Sequence, residues 1–247
     1  MEAIKNNPYR VLGVLAGANA REISKQSKNL KKFLAADAEL PDDSSFSELD
    51  NFQRSVEMID DAIERNNTDP EKIENALFWF WKGYEITDEP AFDALKEGDV
   101  EKAFDIWFKL VNHEDESGEL FWTELTKKNF SAYHNIAVLT LTGKIDKWSF
   151  VSAVMANNYF IESDYFVEFV KSVTDETYRA NKKDIELLFL EKIRQSIAEK
   201  ETETTLSELV KYLNGYNFAA KTDFLKSIAK SFTEKIASQI TIAENAR

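Results

Sequence analysis

Residues that interrupt helices are scarce in this chain: its 247 positions hold only 7 glycines and 4 prolines. In a helix interior, Gly is about 1 kcal/mol and Pro about 3 kcal/mol less favourable than Ala, whereas turn-rich β architectures depend on both. An all-α fold is therefore expected. With 43% hydrophobic and 13% aromatic residues, the composition is that of a chain with a buried core, not of a disordered one. Its length suggests one or two domains. Cysteine is absent, which excludes disulfides, thiolate metal sites and cysteine nucleophiles. No apolar run approaches the roughly 20 residues that cross a bilayer. The stretch Met1 to Pro8 lacks the apolar core of a secretory signal. A soluble, cytoplasmic protein with no membrane partner is expected.

The spacing of apolar residues places the helices. From Ala20 to Leu34, Ile23, Ser27, Leu30 and Leu34 fall on one side of a helix that Asn19 is positioned to cap. Arg21, Lys25, Lys28 and Lys32 recur at steps of four, three and four, and so share the opposite side. Asp37 to Ser45 is polar, contains Pro41 and reads as a loop. A helix over Phe46 to Arg65 is expected from Leu49, Phe52, Val56, Ile59 and Ile63, ended by Asn66-Asn67-Thr68. Asp69-Pro70-Glu71-Lys72 opens the next helix, with proline at its first turn. Ile73, Ala76, Leu77, Phe80 and Tyr84 carry that helix onward through the aromatic run Phe78-Trp79-Phe80-Trp81. Beyond Asp88 the pattern is of short helix pairs: Ala91 to Leu95 with Val100 to Val111 about Gly98-Asp99, then Phe130 to Leu141 with Trp148 to Asn158 about Gly143. Helices over Ile185 to Ala198, Leu206 to Leu213 and Phe218 to Ile242 complete the expected array.

Several ordered landmarks carry a resemblance. Tyr9, Leu12 and Gly13, the basic helix Ala20 to Leu34, the apolar helix after it and the Asp69-Pro70-Glu71-Lys72 turn follow the order seen in J-domains, the module of DnaJ-type co-chaperones. Residues 6 to about 80 resemble that module. The Gly98-Asp99 turn, with Ala103 five residues after the glycine, resembles a tetratricopeptide-type hairpin. The resemblance implies a J-like unit at residues 1–80 and a helical-hairpin array at 81–247. It also implies a partner, a DnaK-type chaperone whose ATP hydrolysis the family triggers through His-Pro-Asp. Here that tripeptide is Ala35-Ala36-Asp37, and Ser27 stands where the family usually has tyrosine. The expectation is a J-like scaffold without J activity: a non-catalytic interaction or adaptor protein whose partner is another protein.

Charge sharpens this. Residues 1–34 hold seven Lys/Arg against two Glu, a local +5, which leaves −18 of the total −13 on the rest of the chain. An acidic body repels nucleic acid and anionic membranes, so neither is an expected partner. The face formed by Arg21, Lys25, Lys28 and Lys32 is the candidate partner-binding site; its bland alternative is a solvated helix exterior. The aromatic run at 78–81 reads as buried core at the junction of the two parts. His113 with Glu114, Asp115 and Glu116 gives neighbouring ligands with no second histidine, so no metal is expected. His134 reads as structural. With two histidines, no Gly-rich phosphate loop and no Gly-x-Ser-x-Gly elbow, neither a catalytic residue nor a cofactor is expected. The rival readings are an active co-chaperone coupling through residues around Asp37, a nucleic-acid-linked factor using the basic helix, and an acidic helical enzyme.

Overall fold

Helix starts follow the local capping chemistry. In the computed structural model, which describes residues 1–40, 43–49, 52–199 and 203–245, two short helices come first, α1 (Glu2–Lys5) and α2 (Pro8–Val11). The Asn7 side chain caps α2 by accepting from the Tyr9 amide at 3.0 Å. α3 (Ala20–Ala35) opens on a capping box. Asn19 Oδ1 accepts from the Arg21 and Glu22 amides, and Glu22 accepts from the Asn19 amide at 2.9 Å. α4 (Val56–Glu64) starts at Ser55, and α5 (Asp69–Ala76) at a second capping box, Thr68 with Glu71. Leu30 of α3 meets Ile59 and Ala62 of α4 over Val11 and Leu12 in one apolar cluster.

Only the second half of the helix expected over Phe46 to Arg65 forms. Ser47–Leu49 is a single 3₁₀ turn, residues 52–55 have no regular structure, and the α-helix begins at Val56. The cause is Arg54, whose side chain is buried. Its Nε donates to Val11 O at 2.7 Å, and its Nη2 to Arg10 O at 3.2 Å and to the Asp43 carboxylate at 2.9 Å. Phe52 lies under the guanidinium groups of Arg10 and Arg54, 4.7 and 5.4 Å from its ring centre. Gly13 completes this knot. At φ +67° it occupies the left-handed region, and a Cβ there would sit 2.1 Å from Asp43 Oδ2.

A second correction concerns the aromatic run. α5 stops at Ala76, and Phe78 to Trp81 form a buried non-helical segment. Such backbone needs hydrogen-bond partners of its own. Ala16 N donates to Phe80 O at 2.9 Å, and Trp79 Nε1 donates to Val14 O at 2.9 Å. The Phe78 and Trp79 amides each donate at 3.2 Å, to Asn75 O and Ala76 O respectively, and further partners come from α8, below.

α6 (Glu85–Lys96) and α7 (Val100–Val111) form a helical hairpin closed at Gly98, φ +80°. A two-stranded antiparallel ribbon follows that the sequence reading did not foresee: β1 (Asn112–Glu114) pairs with β2 (Leu120–Trp122). Asp115 holds its turn by accepting from the Ser117 and Glu119 amides at 2.8 and 3.0 Å. α8 (Phe130–Leu141) is buried along its whole circumference, packs against α9 (Phe150–Glu162), and is followed by α10 (Phe166–Val173). These elements belong to one compact unit, residues 1–180; residues 1–80 lie within it together with the hairpins.

The second unit, residues 181–247, comprises α11 (Lys182–Glu199), α12 (Glu203–Asn214) and α13 (Lys221–Asn245). Phe189, Leu190, Ile193, Leu209, Leu213 and Phe224 are buried in it. The fold is all-α apart from the ribbon. Among the described residues, no helix is long and apolar enough to cross a membrane.

Candidate functional site

The caps of α3 fix its rotation. Ser27 and Leu30 are buried against the cluster above, so Arg21, Lys25, Lys28 and Lys32 all face solvent. Among the described residues none of the four sits in an ion pair, whereas neighbouring Lys31 pairs with Asp60. Among the described residues the face is therefore four cations without an ion pair, on about three turns of one helix. Its flanks differ. Lys25 lines a cleft of about 690 Å³ shared with Gln26, Asn29, Lys82 and Lys96, and Lys28 lines another on the far side. Arg21 and Lys32 lie outside both clefts.

Ala35-Ala36-Asp37 forms the end of that helix. The Asp37 amide donates to Leu34 O at 3.2 Å and the Ala38 amide to Phe33 O at 3.0 Å, with Asp37 itself left-handed at φ +49°. This is the Schellman arrangement, with Asp37 in the position glycine usually fills. All three residues are exposed. The Ala36 amide donates to Lys32 O and Phe33 O at 3.2 and 3.1 Å. A proline at 36 would remove that donor and drive residue 35 out of the α region.

The titratable groups of the interior serve the irregular segment. His134 is fully buried on α8, with Nε2 2.9 Å from Trp79 O and Nδ1 2.9 Å from Asn157 Oδ1. A carbonyl only accepts, so Nε2 carries the proton and Nδ1 is bare. Turning the Asn157 amide over would bring its nitrogen, which otherwise has no partner, to that bare atom. Burial holds the His134 pKa below its ordinary value. Asn135 brackets Trp81, accepting from its amide at 2.9 Å and donating to its carbonyl at 2.8 Å.

Asp88 of α6 is likewise fully buried. Its carboxylate accepts from the Gly83 and Tyr84 amides, Trp107 Nε1 and Asn135 Nδ2 at 2.9 to 3.2 Å. Burial pushes its pKa up, and the hydrogen bonds from Ser131 and these donors oppose that push. The four donors bond the ionised carboxylate. His113 lies on β1 against Phe121, 5.9 Å between ring centres. Among the described residues no cluster of His, Asp and Glu is arranged to hold a metal ion.

No protein-family model, curated protein or solved structure matches this chain.

Proposed function

We propose that this chain is a non-catalytic interaction protein: an N-terminal J-like scaffold whose trigger is absent, presenting α3 to an acidic surface of a partner protein. One observation carries the reading. Arg21, Lys25, Lys28 and Lys32 are exposed and have no ion-pair partner among the described residues, on a chain of net charge −13 with 44 acidic residues. Opposite charge steers association and sets orientation more than it adds affinity. Docking through this face should therefore be fast, salt-sensitive and reversible.

The closed cap at Ala35-Ala36-Asp37 supports the absence of a coupling function. Turnover of ATP by a DnaK-type chaperone, measured with and without the protein, tests it. The expected rate is the chaperone's basal rate, and acceleration above it overturns the reading. Reversal of Lys25 and Lys32 to Glu should leave the fold intact, because both side chains are exposed, and should abolish salt-sensitive retention of the partner. Retention that survives the reversal removes the face from the proposal.

A further inference from the structure

We infer that the β1–β2 ribbon of one copy of this chain docks on the α3 face of a second copy, so that the protein associates head to tail. The inference rests on the docking reading above and names the acidic surface that α3 meets as the chain's own ribbon. From Asn112 to Trp122 the ribbon carries four carboxylates, Glu114, Asp115, Glu116 and Glu119, and no Lys or Arg. All four are exposed, and among the described residues Glu114, Glu116 and Glu119 have no ion pair.

The ribbon also shows apolar surface that nothing in the chain covers. Leu120 is 56% exposed and Phe121 42%. The cross-strand register sets Leu120 opposite Glu114, so a carboxylate and an apolar side chain stand together on one face. The turn is held by Asp115, which accepts from the Ser117 and Glu119 amides, so the ribbon is ordered before it meets a partner. Its Leu-Phe-Trp strand is an open edge, the kind of surface that pairs with other chains.

Charge decides which surface covers it. Two ribbons side by side would bring four carboxylates against four, which opposes a symmetric pair. The α3 face offers the opposite sign in matching number: Arg21, Lys25, Lys28 and Lys32, exposed and without an ion pair among the described residues. The sizes also agree. Arg21 to Lys32 spans about 16 Å along a helix, and Asn112 to Glu116 about 13 Å along a strand. Lysine stems give Leu120 apolar cover, and a cation over the Phe121 ring adds attraction. Within one chain both surfaces face solvent, so they do not satisfy each other. At physiological salt, charges more than about 8 Å apart are screened, so the net −13 of each copy opposes a local contact only weakly. Because the two patches differ, each added copy leaves one ribbon and one face open.

The test is sedimentation velocity on the full chain over a concentration series reaching about 1 mM, the weak end of specific association. The sedimentation coefficient should rise with concentration and fall back in high salt. Two variants at exposed positions separate the surfaces: Glu114→Gln with Glu116→Gln and Glu119→Gln on the ribbon, and Lys25→Glu with Lys32→Glu on the face. Each alone should weaken self-association about tenfold or more, and so should Leu120→Ser. Mixed together, the two variants should form a dimer and nothing larger, because one intact ribbon and one intact face remain between them. A chain that stays monomeric throughout, a ribbon variant that associates like the original, or a mixture that stays monomeric overturns the inference. So does undiminished association of the face variant, the result expected of ribbon-to-ribbon pairing. If the original chain is monomeric while Lys25→Glu with Lys32→Glu still abolishes salt-sensitive retention of a different protein, the docking reading stands and the ribbon falls.

Discussion

Arg54→Met is the most informative single change in the first unit. It removes a guanidinium whose side chain is 4% exposed and leaves Asp43, 5% exposed, facing only the Ser45 amide at 2.8 Å and Gln26 Nε2 at 3.5 Å. Breaking a buried ion pair from one side costs about 3–5 kcal/mol. Val11 O and Arg10 O also lose their contacts with the guanidinium, which adds about 1 kcal/mol for each carbonyl left dry. Arg10 O still accepts from the Gly13 amide, so one such contribution applies. The expected loss is about 4–6 kcal/mol, a large share of the 5–15 kcal/mol that holds a typical domain together. Adding Asp43→Leu removes the orphaned charge and should restore about 2 kcal/mol or more. Urea unfolding followed by tryptophan fluorescence is the assay. All five tryptophans (Trp79, Trp81, Trp107, Trp122 and Trp148) lie in residues 1–180, so the signal reports that unit alone. A loss below about 1 kcal/mol for Arg54→Met, the size of a solvent-exposed pair, would refute the reasoning. So would a double variant no more stable than the single one.

Three further outcomes follow from the geometry. Trp81→Ala removes a ring that packs on Phe130, Phe160 and Phe169 with centroids 5.1 to 6.0 Å away, and should cost about 3–5 kcal/mol in the same assay. Asp37→Gly relieves a left-handed side-chain residue at an exposed helix end and should raise stability by about 0.5–1 kcal/mol. The third is a pH dependence. Because burial lowers the His134 pKa, the unfolded chain takes up a proton below about pH 6.5 that the folded chain refuses. Stability from this group is complete above that pH and declines below it, by up to about 1.4 kcal/mol per pH unit, until the folded value is reached. His134→Gln should be less stable at neutral pH but should lack this slope, as read from urea midpoints across the range.

Much of the helical framework was legible because amphipathic spacing and caps are local. α3 was expected from Ala20 to Leu34 and runs to Ala35; α8 was expected and found at Phe130–Leu141. The failures share a physical cause, since polar groups that serve the interior look like surface residues in a sequence. Arg54 interrupts an apolar stripe only because Asp43, Val11 and Arg10 need it. The run at 78–81 has helical apolar spacing, yet its backbone is held by Ala16, His134 and Asn135, residues far away in the chain. A signal did exist in α8: Ser131, His134 and Asn135 stand at spacings of three and four in an otherwise apolar helix. Phe166, Phe169, Val170 and Val173 likewise carry helical apolar spacing, and α10 forms there. The candidate face was readable from charge spacing. The clefts beside it were not, because each brings together residues far apart in the chain.

The way α8 completes the segment at 79–84 bears on how this unit assembles. Trp79, Trp81 and Tyr84 are held by side chains 47 to 55 residues further along the chain. A loop of that length must close before those peptide groups can leave water without loss, and closure on this scale slows folding. The aromatic segment is therefore a late guest, stranded in solvent until the central helix arrives. Its amide protons, those of Trp81 and Tyr84 above all, should then exchange with deuterium only when the entire first unit opens.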